Sequence, residues 1–158
     1  MFTEKYAELY DLFHANKNYR NEVNEIIRVL GLDRINGLTA FDFGCGTGAH
    51  AEEFLKYGIN IDGFDASLDM LKIAKKKNPS LKFSNDINDF KVNYDFTYSL
   101  FDVVSYQTTY ETASDVLRKL FSKTKTGGIC LIDSWNSEGV RLDPPKISER
   151  VVQSSFGS

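Results

Sequence analysis

The sequence predicts an α/β fold, a doubly wound parallel sheet with helices on both faces. Three observations predict it. Short apolar or aromatic runs alternate with helical stretches as far as Asp133, the pattern of strand–helix–strand units. One of those strands runs straight into the turn Gly44-Cys45-Gly46-Thr47-Gly48 and from there into a helix. The residues Asp42, Asp65, Asp86 and Leu100-Phe101 stand at the carboxyl ends of successive predicted strands, the edge at which such sheets bind their ligands.

The elements follow in order. Leu9, Leu12 and Phe13 lie at helical spacing and place an amphipathic helix over 4–13, with Tyr6 and Tyr10 along its aromatic edge. A second helix is expected over 19–30. The first strand covers 40–43, and the helix after its glycine turn covers 48–57. The second strand, 60–65, ends in Asp65, and Ser67 suits the N-cap of a helix over 68–77. A short strand at 82–84 leads to a polar turn at Asp86. The fourth strand spans 95–100, a helix is expected over 110–121, and Lys125-Thr126-Gly127-Gly128 breaks the chain before a fifth buried strand at 129–133. From Trp135 to Ser158 the chain reads as a polar stretch, with Pro144-Pro145 as a rigid spacer and residues 147–152 as the beginning of one more strand.

Composition narrows the function. The 158 residues suit one domain, and 42% hydrophobic residues suffice for a core. A formal charge of −3 gives no general attraction to phosphate backbones, so nucleic acid is not an expected partner. The cluster Lys72, Lys75, Lys76 and Lys77 closes a predicted helix, where cations suit the dipole and the solvent. Cys45 and Cys130 both fall in predicted buried elements and read as reduced thiols of a cytoplasmic protein. Two histidines without paired Cys/His spacing predict no metal site. No signal peptide or long apolar segment is evident, so no membrane association is expected.

The chemistry-bearing residues converge on the glycine turn. Alternate glycines remove Cβ atoms where the chain bends and where a ligand approaches main chain, and the following helix aims free N–H groups at the same place. Gly44-x-Gly46-x-x-Ala49 satisfies the dinucleotide fingerprint G-x-G-x-x-G/A. The same residues read as D-x-G-x-G-x-G from Asp42. Asp65, about 20 residues beyond the first glycine, can accept both hydroxyls of an adenosine ribose, which suits NAD and other adenosine cofactors equally. Cys45, although at a helix N-terminus, reads as a packing residue before it reads as a reactive thiol.

The string FDFGCGTG resembles motif I of the class I S-adenosylmethionine-dependent methyltransferases, and GFDASLDML resembles their G-x-D-x-S-x-x-M-L pattern. The layout from Tyr94-Asp95 through Ser99-Leu100-Phe101 and Ser105-Tyr106-Gln107 to Gly127-Gly128, Asp133 and Trp135 is similar to that of the small-molecule N-methyltransferases acting on amino sugars and related glycosyl substrates. Tyr6 to Phe13 and Lys17-Asn18-Tyr19 resemble the leading helices of the same group. Thr126 departs from the common proline, and Asp102 from the common His or Ser.

The resemblance implies a Rossmann-like core over 31–135, a helical cap over 1–30 and a polar tail over 136–158. That tail would lead toward a C-terminal antiparallel part that is missing here, in a shortened chain or a naturally short form. It implies S-adenosylmethionine as cofactor, with Gly44, Gly46, Thr47, Ala66 and Met70 around it, Asp42 reaching its amino group through water, Asp65 on the ribose, and Asp86 and Ile87 at the adenine. Leu100 and Phe101 close the strand tips, and Tyr19 meets the methionine end. The acceptor would be an amine or hydroxyl of a small molecule, an amino sugar being the group's example. His14 and Asp102 are the two candidates for the base that removes its proton. The other readings are a non-catalytic S-adenosylmethionine-binding module and, less well supported, an NAD-dependent oxidoreductase, for which no Tyr-x-x-x-Lys or catalytic His group is found. An unpaired fifth strand would favour a homo-oligomer through the exposed sheet edge.

Overall fold

The computed structural model describes residues 4–31 and 36–144. Helices α1 (Glu4–Phe13) and α2 (Tyr19–Val29) precede five strands, β1 (Thr39–Phe43), β2 (Asn60–Phe64), β3 (Lys82–Ser84), β4 (Tyr94–Ser99) and β5 (Thr124–Ile132). Between them lie α3 (Ala49–Leu55), α4 (Leu68–Lys77) and α5 (Tyr110–Lys123), and α6 (Ser137–Leu142) follows. All strand pairs are parallel and the order is β3-β2-β1-β4-β5. Strand order therefore reverses at β1, which has β2 on one side and β4 on the other. This is the switch point at which a doubly wound sheet opens a crevice beyond its strand tips.

Period-two alternation divides the core. Ala40 of β1 faces one layer with Phe96 and Tyr98 of β4, against Val23 of α2, Phe54 of α3 and Leu71 and Ala74 of α4. Phe41 and Phe43 face the other layer, with Tyr94, Phe90 and the Val116 and Leu120 stripe of α5. Asp42 shares the face of Ala40 and is paired in register with Tyr98. The helices start where short polar side chains can satisfy free N–H groups. Asn18 accepts from Asn21 N (3.0 Å), Ser67 from Met70 N (3.3 Å) and Thr109 from Thr112 N (3.2 Å).

The structure departs from the sequence reading in three places. Residues 125–128, expected as a break before the last strand, belong to β5 as a bulge: Tyr94 pairs with Thr124 and Phe96 with Ile129, and Gly127 takes φ +74°. The stretch after Trp135, expected as a polar stretch with no helix assigned to it, contains α6, which Asn136 caps by accepting from Glu138 N (3.0 Å) and Gly139 N (3.2 Å). Helix α3 begins at Ala49, because Gly48 sits at φ +77° and ends the turn instead of starting the helix. The strand expected over 147–152 lies outside the described residues. Among the described residues β5 pairs with β4 alone, and no helix is long and apolar enough to cross a membrane.

Candidate functional site

Two cavities open beyond the tips of β1, β2 and β4. The first, about 410 Å³, is bounded by the glycine turn (Gly44, Gly46), the end of β2 (Phe64, Asp65, Ala66), Met70 of α4, and Leu100, Phe101 and Val103 beyond β4. Its far wall is Thr112, Asp115, Val116 and Lys119 of α5, and Tyr10 of α1 covers it. The second, about 660 Å³, is lined by Tyr6, Tyr10 and His14 of α1, by Phe101, Asp102, Ser105 and Tyr106, and by Trp135, Ser137 and Val140 around α6. Tyr10, Phe101 and Tyr106 line both, so the cavities share a wall.

The glycine turn is held from β2. Gly44 N and Cys45 N donate to Phe64 O (2.7 and 2.9 Å). The Asp65 carboxyl accepts from Gly46 N through Oδ2 (2.8 Å) and from Ser67 N through Oδ1 (2.8 Å), joining the turn to the cap of α4. Burial raises the Asp65 pKa, and these two N–H groups oppose the rise. Gly46 has φ +52°, and a Cβ built there would meet nothing within 4 Å. The turn therefore presents bare main chain to open space, which fits an adenosyl ligand lying against it. Gly44 is different: at φ +85° its Cβ would stand 2.6 Å from Val103 Cγ2. Gly44→Ala is expected to cost on the order of 2–3 kcal/mol, read as a lower denaturant midpoint, and Val103→Ala in the same chain should return part of it.

The expected site residues separate into four groups, three of them at cavities and one outside. Gly44, Gly46, Asp65, Ala66, Met70, Leu100 and Phe101 all line the first cavity. His14 and Asp102 face the second, where the His14 ring lies tilted against Tyr10 (4.5 Å) and meets Phe101 edge-on (5.0 Å). Burial raises the Asp102 pKa, with Asp133 adding to the effect. Tyr19 and Thr47 sit at a small cleft against the turn, lined also by Gly46, His50 and Phe101.

Thr47, expected at the cofactor, donates its hydroxyl to Asp11 Oδ1 (2.6 Å), and Asp11 Oδ2 takes Lys77 Nζ (2.9 Å). This latch fixes α1 over the site. Glu22 of α2 pairs with His50 Nε2 (2.9 Å) and with Lys17, and the His50 bond above all holds its carboxyl down to about 2.

Asp42, Asp86 and Ile87 are not in the wall of the first cavity. Asp42 is 2% exposed, and its Oδ2 and the Tyr98 hydroxyl beside it are both buried with no hydrogen-bond partner among the described residues. The hydroxyl is near enough to oppose the effect of burial, yet the Asp42 pKa is pushed up to about 8. Asp86 is exposed and accepts from Asn88 N and Asn88 Nδ2 (2.9 Å each), a cap for the short turn Ile87–Asp89. Ile87 packs under that turn against the second core layer.

Sequence reading missed the α5 wall and the α6 contribution. The α5 residues carry an ordinary amphipathic stripe that gives no hint of a cavity. Tyr106 and Gln107 were visible in the string after Ser105, although without an assigned place. No group of three or more His, Cys, Asp or Glu among the described residues is placed to hold a metal ion.

Residues 40–128 match the family model described as a methyltransferase domain. The chain belongs to this family. Its methyltransferase domain is similar to a dTDP-3-amino-3,4,6-trideoxy-alpha-D-glucopyranose N,N-dimethyltransferase of Streptomyces venezuelae, 29% identical over 140 residues that make up 85% of this chain and 59% of that protein. Among solved structures it is similar to Streptomyces venezuelae DesVI, with a TM-score of 0.70 at 29% identity over 82% of this chain and 57% of that one. It is also similar to the sugar N-methyltransferase KedS8 of Streptoalloteichus sp. ATCC 53650, with a TM-score of 0.71 at 25% identity over 82% and 55%. The chain thus spans rather more than half the length of these relatives. The α/β fold with a five-strand parallel sheet is the fold they share.

Proposed function

We propose that this methyltransferase domain binds S-adenosylmethionine in the first cavity and transfers its methyl group to an amine of a small molecule, of the amino-sugar class, held in the second. The observation that carries the reading is the shared wall. Tyr10, Phe101 and Tyr106 border both cavities, with the glycine turn and Asp65 on one side and His14 and Asp102 on the other. The cofactor, when bound, supplies a methyl group already activated by a sulfonium. What remains for the protein is alignment, exclusion of water and removal of one proton.

In this reading Asp65 takes the ribose hydroxyls, Gly44 and Gly46 lie against the ligand's backbone-facing side, and Ala66, Met70 and Leu100 pack on it. Tyr19 sits toward the methionine end, and α1, latched by Asp11 to Thr47 and Lys77, keeps water out. Asp86 and Ile87 would reach an adenine only from beyond the cavity wall, and Asp42 only through water. Asp102 is the stronger candidate base, since a carboxyl whose pKa is raised by burial accepts a proton more readily. His14 is the second. The relatives named as sugar N-methyltransferases support an amine over a hydroxyl as acceptor.

The test is transfer of labelled methyl from S-adenosylmethionine to a panel of amino sugars, alongside calorimetry with S-adenosylhomocysteine and NAD. Turnover on an amino sugar supports the reading. Tight S-adenosylhomocysteine binding with no turnover on any acceptor favours a non-catalytic module, and NAD binding in its place favours an oxidoreductase. Asp102→Asn is expected to lower kcat about 100-fold with unchanged S-adenosylhomocysteine affinity, and His14→Gln to lower it less. Unaltered kcat in both variants removes them from proton transfer.

A further inference from the structure

Phe101 and Asp102 both stand in the left-handed region, at φ 67° and 62°. Neither is glycine, and two such residues in succession persist only where the surroundings impose the conformation. The imposing group is one carboxyl. Phe101 N donates to Asp133 Oδ2 at 2.7 Å, and Asp102 N donates to Asp133 Oδ1 at 2.8 Å. Asp133 is itself fixed by the sheet. It follows β5 directly, and its own N–H donates to Ser99 O (3.2 Å), carrying the β4–β5 pairing past Ser99 and Ile132. A further bond, Trp135 N to Ser105 Oγ (3.4 Å), ties the chain after Asp133 to the chain after Asp102.

The turn so held decides where two site side chains point. The Phe101 ring forms the wall common to both cavities, met by His14 on its edge and by Lys17 Nζ 4.2 Å from its centroid. Asp102 faces the second cavity alone. Asp133 lines neither. Without its carboxyl both N–H groups lose their acceptor, and relaxation to negative φ would rotate the Phe101 ring out of the shared wall and the Asp102 carboxyl out of the second cavity.

We propose that Asp133 is a positioning residue: its carboxyl holds residues 101 and 102 left-handed and thereby sets the wall between the two cavities and the aim of Asp102. The effect on ligands rests on the reading of the first cavity given above. The effect on the turn does not.

Two measurements keep these apart. In ligand-free protein, positive φ at residues 101 and 102 gives strong intraresidue HN–Hα NOEs. Asp133→Ala is expected to abolish them at one or both positions while the rest of the spectrum stays dispersed, and their retention overturns the proposal whatever the protein binds. In calorimetry, Asp133→Ala is expected to weaken S-adenosylhomocysteine about tenfold. Adding Asp102→Gly should recover much of that affinity, because glycine takes positive φ without strain. A general loss of stability would be worsened by a further glycine, so failure of the double variant to recover affinity also overturns the proposal. If the wild type does not bind S-adenosylhomocysteine, the reading of the cavity falls and the NOEs alone decide the role of Asp133.

Discussion

Asp65→Ala is expected to weaken S-adenosylhomocysteine binding roughly 10- to 100-fold, the loss appropriate to one or two hydrogen bonds to a charged group. The carboxyl stands at the tip of β2 in the wall of the first cavity, opposite open space at Gly46. Its two oxygens already accept from Gly46 N and Ser67 N, and each retains capacity for a further donor such as a ribose hydroxyl. The substitution therefore acts twice, removing the ligand's acceptor and releasing the glycine turn from the cap of α4. The second effect should appear as a loss of about 1–2 kcal/mol in stability, a Tm lower by a few degrees. Asp65→Asn, which keeps one acceptor, should fall between the two in both respects. Isothermal calorimetry on the three proteins checks the ordering, and equal affinity in all of them would place the ribose elsewhere.

Asp42→Asn is expected to stabilise the protein, and more so as the pH rises. Asp42 is almost wholly buried with an unpartnered oxygen, and burial pushes its pKa from the ordinary 3.8 to about 8 in the folded state. Between those values the folded chain keeps a proton that the unfolded chain releases. The stability contributed by the neutral acid is thus fully present below about pH 4 and is lost as pH rises toward 8, by up to about 1.4 kcal/mol per pH unit. Asparagine cannot ionise, so the variant escapes this loss. Its advantage over the wild type should grow by a few kcal/mol, on the order of 4, between pH 4 and 8 and then level off. Urea unfolding of both proteins across that range isolates the effect, because every other titrating group is common to the two. A difference independent of pH would mean that Asp42 is solvated or paired in solution.

Much of the site was legible because the rules that place it are local. A strand ending in alternate glycines must turn, must present main chain, and must feed a helix, so Gly44, Gly46 and Gly48 announce the turn from the sequence alone. Asp65 was legible from spacing, since a strand–helix–strand unit returns the next strand tip to the same edge after about 20 residues. Asp86 shows the limit of that reasoning. It stands at a strand end as expected, yet an acid beside Asn88 also caps a short turn, and its Oδ1 is given to those local bonds. The Thr47 bond could not be read from the sequence, because its partner Asp11 lies 36 residues away on α1.

The departures share one cause. Bulging of 125–128 depends on how β5 meets β4, not on Gly127-Gly128 alone. Helix α6 is only six residues long, too short for periodicity to reveal, and it matters because it closes the second cavity. The left-handed pair Phe101-Asp102 carries no glycine to mark it, and the Asp133 carboxyl that both N–H groups donate to comes from just past β5, about thirty residues on.

By itself the sequence determined the alternation of strands and helices, the parallel sheet, the glycine turn and the identity of the residues at the strand tips. These follow from side-chain periodicity and from the conformations that glycine and capping residues favour, which act over a few residues. Tertiary structure alone decided that Asp42 is sealed beside Tyr98, that Asp133 governs a turn some thirty residues before it, and that two cavities meet at Tyr10, Phe101 and Tyr106. Burial, bond partners and shared walls arise between segments distant along the chain, and no local preference encodes which segments will meet.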